Sequence, residues 1–202
     1  MMDIVMGTLL LAGAALALQH KEQRQRVALL GTHLRPYQLE KNMEALSRAY
    51  LRALDEPEPA RREQIWQLQA NTELQLCAEL QRLVDGLAQV PAAQLQVCRW
   101  PVHPPYATQW AASACFDLRA LLAAHAQGWR DTIDNPAGRS PKARAYTMMA
   151  EMLLLQHSCH WFCKSLTVAS ARLLAQHKTS HAQVLEAVSP ATRAAYRGIT
   201  GY

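Results

Sequence analysis

The chain has 202 residues, half of them hydrophobic, with 18% charged and 6% aromatic, a balance that supports one domain with a real core and excludes a disordered or collagen-like chain. Leu outnumbers Ile plus Val by 29 to 13, and with only 8 Gly and 10 Pro the expected fold is all-α. The formal charge of +5 is C-terminal, since residues 139–202 hold 8 Lys or Arg against Glu151 and Glu186 alone, which suits either an acidic partner or a well-solvated surface.

The first element is Ile4 to Gln19, IVMGTLLLAGAALALQ, sixteen uncharged residues between Asp3 and His20. As a helix it spans about 24 Å against a hydrocarbon core of about 30 Å, so a membrane anchor here is short and calls for local thinning or snorkelling by Lys21 and Arg24. Lys21, Arg24 and Arg26 follow it and only Asp3 precedes it. The positive-inside rule then makes this a single-pass protein of the inner (plasma) membrane with residues 20–202 in the cytoplasm. A cleaved signal peptide ending at Ala15-Leu16-Ala17 competes but lacks a basic start, and a lipoprotein box at Leu11-Ala12-Gly13 meets Ala14 where Cys is required. The remaining alternative is a buried N-terminal helix. The expected division is residues 1–35, anchor and juxtamembrane helix broken at Pro36, and residues 36–202, an antiparallel bundle of four to five helices.

A second helix is expected over 37–54, where Leu39, Met43, Leu46, Tyr50 and Leu54 form one stripe, and a third runs from the EPEP turn (56–59) toward Pro91. Pro91, Pro101, Pro104 and Pro105 make 90–105 an extended connector that either packs over the bundle through Trp100 and Tyr106, the reading preferred, or exposes those rings to a partner. A fourth helix is expected over 107–132, ended by DNPAG (134–138). Ser140-Pro141 opens a fifth that reaches His177, with Ala145, Met148, Met152, Leu155, Cys159, Phe162, Leu166, Ala169 and Leu173 as its seam. Its opposite side, including Tyr146, Leu153, His157 and Trp161, is also poor in charge, so the helix is either central in the domain or presents that side outward, and the reading adopted is an interaction face for a protein partner or a second copy. Ser189-Pro190 starts a short terminal helix.

Chemistry-bearing residues concentrate at His157-Ser-Cys159-His160-Trp-Phe-Cys163-Lys164. His157, His160 and Cys163 are candidate transition-metal ligands if another helix adds His125 or an acid, although Cys159 points into the seam and Lys164 repels a cation. Glu-x-x-His, Cys-x-x-Cys-His, Gly-x-Ser-x-Gly and phosphate-loop patterns do not occur. Arg139, Lys142 and Arg144 crowd the start of the fifth helix, where an anion would meet both cations and free backbone N–H groups. Five cysteines, an odd count without framework spacing, indicate a reducing compartment and buried thiols. The function expected is a membrane-anchored helical interaction or scaffold protein, not an enzyme and without a cofactor. Its alternatives are a metal- or cofactor-binding helical enzyme at His157 and His160, and anion binding (lipid headgroup or nucleic acid) through the basic C-terminal segment. Of these anions nucleic acid is disfavoured, because the cations are dispersed and lack interleaved aromatics.

Overall fold

The computed structural model describes residues 1–202, apart from the side chains of Asp3 and Ile4. Among the described residues the chain forms nine α-helices and one antiparallel two-stranded ribbon, so it is all-α in its main lines. Helix α1 (Met2–Leu34) is continuous through Gly31. Helix α2 (Leu39–Asp55) carries its stripe inward, with Leu39, Met43, Leu46 and Tyr50 buried, and α3 (Pro59–Ala88) begins with proline in its first turn. After the connector come β1 (Gln96–Cys98), the short α4 (Ala107–Trp110), β2 (Cys115–Asp117) and α5 (Leu118–Asp134). Helices α6 (Pro141–Cys163), α7 (Leu166–His177), α8 (His181–Ala187) and α9 (Pro190–Thr200) complete the chain. Helix α3 packs between α2 and α5, and α6 lies at the centre, touched by α1, α2, α5, α7 and α8. The core between them is dominated by Leu46, Leu76, Leu80, Leu83, Leu87, Leu118, Trp129, Met148 and Phe162.

Three expectations change. The fourth helix divides: its first turn ends at Trp110, residues 115–117 pair with 96–98, and a new helix starts where Asp117 accepts the Arg119 N–H as an N-cap. The fifth also divides, because Lys164 leaves helical geometry and the Ser165 hydroxyl caps the N-terminus of α7 by accepting from Val168 N–H. The third concerns the anchor. No helix among the described residues is long and apolar enough to cross a membrane, so a full span by residues 4–19 is not supported. Length is the reason, since the helix turns polar at Gln19 and its next turns, at Glu22 and Arg26, are buried in the body.

Close approach of three helices explains one glycine. A Cβ on Gly128 of α5 would lie 2.1 Å from Thr192 Oγ1 and 2.9 Å from Glu151 Oε2, so α5 can meet α6 and α9 here only without a side chain.

Candidate functional site

Helix α1 is two things in one rod. From Leu30 back to Gln19 it is part of the body; N-terminal to that it protrudes as an arm, with Leu9, Leu10 and Leu11 at 67, 71 and 74% exposure and Val5, Met6, Leu16 and Leu18 also open. Three successive leucines point in directions about 100° apart, so the arm is apolar on every side rather than along one stripe.

The root of the arm is gripped by the segment between β1 and β2, a strap over residues 99–114. Glu22 Oε1 accepts from Arg26 Nη2 at 2.9 Å and lies 3.1 Å from His103 Nε2, while Glu22 Oε2 accepts from the Tyr106 N–H at 2.8 Å. Gln19 Nε2 donates to the His103 carbonyl at 2.8 Å, and Arg26 Nη1 donates to the Phe162 carbonyl at 3.1 Å, fixing α1 to the end of α6. Burial pushes the Glu22 carboxyl up, but the hydrogen bonds from His103 and Tyr106 and the Arg26 charge outweigh it and hold the pKa at about 2. The carboxylate is therefore ionised at any physiological pH. The same strap exposes Trp100, Val102 and Trp110, the two indoles in contact with centroids 5.4 Å apart. Thus the connector expected to pack through Trp100 holds with its backbone and His103, and presents its tryptophans outward.

The metal candidates do not converge. His157 is 1% exposed, stacked on His181 at 4.2 Å with its Nε2 3.1 Å from Ser170 Oγ. His160 and Cys163 instead line a cleft of about 740 Å³ between α1, α2, α6 and α7, walled by Leu30, Met43, Leu83 and Leu155 with Glu40, Cys159 and His177 at its edge. Among the described residues no group of three His, Cys, Asp or Glu is placed to hold a metal ion. Burial lifts Cys159 to about 12 and Cys163 to about 11, so both are thiols, poor ligands and poor nucleophiles. His125, the expected fourth ligand, is fully buried against Ser158 Oγ at 2.9 Å, and burial depresses it to about 3.

The anion candidates also separate. Arg144 turns inward and donates to Glu73 Oε2 at 2.7 Å, while Glu73 Oε1 accepts from the Tyr50 hydroxyl. Arg139 sits in the loop after α5, where its backbone N–H and carbonyl bond the Asn135 side chain, and Lys142 is exposed beside the α2–α3 corner. Of the three, Arg139 and Lys142 are left for an anion, since Arg144 is held by Glu73.

Of the expected interaction face, Tyr146 is half exposed, Leu153 is partly buried, and His157 and Trp161 are covered by the chain itself. Trp161 Nε1 donates to the Cys98 carbonyl at 2.9 Å and its ring meets Phe116 and Tyr202. Around His157 and Trp161 the second apolar side of α6 is thus covered by the ribbon, α7, α8 and the C-terminus, while Tyr146 stays half exposed. Sequence periodicity finds such a side but cannot name what covers it. The buried polar groups on this side, Glu151, His125, His157 and Tyr196, are all 1% exposed or less, which gives a substrate no access to them. No protein-family model, curated protein or solved structure matches the chain.

Proposed function

We propose that the protein is a membrane-tethered helical interaction protein, in which the arm of α1 enters lipid and holds the bundle against the cytoplasmic face. The observation that carries this is the all-round exposure of the arm's apolar side chains. A helix apolar on one side suits a protein groove, whereas one apolar on every side needs an apolar medium around it. Too short for a straight crossing, the arm is accommodated by a thinned bilayer or by entering from one side, with exposed Lys21 and Arg24 among the headgroups. The Trp100 and Trp110 rings, held by the strap at the arm's root, match the preference of indoles for the membrane–water boundary. The bundle then serves as the scaffold presented at that surface, with no chemistry of its own.

Flotation of the full chain on vesicles of phosphatidylethanolamine and phosphatidylglycerol tests this. The wild type is expected in the lipid fraction, and the double variant Leu10→Lys/Leu16→Lys is expected to lose at least about a hundredfold in partitioning while keeping its helical circular dichroism. A wild-type chain that stays in the aqueous fraction as a monomer would overturn the proposal.

A further inference from the structure

Ribbon register places Cys98 directly opposite Cys115. Ladder hydrogen bonds run from Arg99 N–H to the Ala114 carbonyl and from Leu118 N–H to the Leu95 carbonyl, both 2.9 Å. Antiparallel pairs alternate along a ladder, so the cysteines occupy the narrow, non-hydrogen-bonded kind, with Cα atoms about 4.5 Å apart and side chains on one face. That separation falls inside the span of roughly 4.4–6.8 Å that a disulfide bridges. Both cysteines pack with Ala107 of α4, the Cys115 thiol donates to the Ala111 carbonyl at 3.3 Å, and Arg99 Nη1 donates to the Cys115 carbonyl at 2.7 Å. Burial raises the Cys115 thiol above its ordinary range against the opposing charges of Arg26 and Arg99, so its thiolate is a minor species and exchange at it is slow. Cys115 is the more exposed of the two, at 8% against 1%. Neither residue contributes to the arm, to the cleft or to the polar groups beneath α6.

We propose that Cys98 and Cys115 form a redox-active dithiol that closes to a disulfide by exchange with a low-molecular-weight disulfide of the glutathione type. The Cys115 thiolate attacks one sulfur of the oxidant, forming a mixed disulfide and releasing one thiolate. The Cys98 thiolate then attacks the Cys115 sulfur and releases the second. The protons of the two cysteines go to the two departing thiolates, so one small disulfide is reduced to two thiols as one protein disulfide forms. Closure ties together the two ends of the strap. Since that strap supplies His103 and the Tyr106 N–H to Glu22, oxidation tightens the grip on α1, and reduction loosens it.

Equilibration of the full chain with mixtures of reduced and oxidised glutathione, followed by alkylation and peptide mass mapping, tests the proposal. The expected result is a Cys98–Cys115 linked peptide two hydrogens lighter than the free pair, reopened by dithiothreitol, with Cys77, Cys159 and Cys163 still alkylated. Amide exchange at Tyr106 is expected to slow on closure by about tenfold. In the Cys98→Ser variant Cys115 is expected to stop at the glutathione adduct. Wild-type cysteines that stay alkylatable in excess oxidised glutathione, or that end as two separate adducts, would overturn the proposal whatever the variant does.

Discussion

Glu151 shows how a single buried carboxyl shapes the response to pH. It has no exposed surface, its Oε1 accepts from Ser189 N–H at 3.1 Å, and its Oε2 finds no protein donor among the described residues. Burial raises its pKa to about 7 against the partial relief from Thr192, Ser189 and Arg139. A folded pKa above the unfolded value means that the protonated acid stabilises the fold below about pH 4.5, and this contribution is lost as pH rises through 7. Wild type is therefore expected to lose about 2–3 kcal/mol relative to Glu151→Gln between pH 5 and 8, measured by urea unfolding of both chains. The histidines act in the opposite sense: His125 and His157, held near 3 by burial, stay neutral in the fold but charge in the unfolded chain as pH falls below about 6.5. Their effect is common to both chains and cancels in the comparison. None of this was legible in the sequence. His157-x-x-His160 looks like half a metal site on a helical wheel, yet at 100° per residue the two rings are 60° apart, enough here for one to meet α7 and α8 and the other the cleft beside α1 and α2.

At the scale of elements, the root of α1 depends on one carboxylate. Glu22 joins α1 to the strap through His103 and Tyr106 and to its own next turn through Arg26. Removing one partner of a buried ionic cluster leaves the others uncompensated, so Glu22→Gln is expected to cost about 3 kcal/mol in urea unfolding at pH 7 and to speed amide exchange at Tyr106. The sign follows from its depressed pKa: the Glu22 contribution is present above about pH 4.5 and fades as pH falls toward 2, so the two chains converge in acid. Several elements were readable in advance from local chemistry. Helices α2, α3 and α9 begin and end close to where stripes, prolines and Ser189-Pro190 put them, because each boundary is set by residues next to it. The ribbon was not, since QVC and CFD are three residues long and gain their strand geometry only from each other. Ser165 was missed for a related reason: a cap inside an unbroken apolar seam leaves the periodicity intact, and Leu166, Ala169 and Leu173 remain buried after the break. Glu22 and His103 are 81 positions apart, which no pattern within one helix could join.

As a whole, the molecule is a closed bundle with an open arm. The long helices from α2 to α6 bury most of their apolar faces inside the chain, including the His157 and Trp161 part of the second face of α6, while Leu51, Leu68, Leu74 and Tyr146 stay exposed. Single apolar side chains are exposed on the body, but the longest continuous run of them lies at the other end of α1, with Trp100, Val102 and Trp110 exposed on the strap beside it. The near-cylindrical distribution of exposed apolar side chains on the arm is what supports the proposed entry of the arm into lipid. The most direct measurement is fluorescence quenching of a Leu10→Trp variant, compared with wild type, in vesicles whose phospholipids carry bromine deep in the acyl chains. Additional emission from the new indole that is blue-shifted and strongly quenched by the brominated lipid is the predicted result; emission at the water-exposed wavelength, unaffected by bromine, would contradict it.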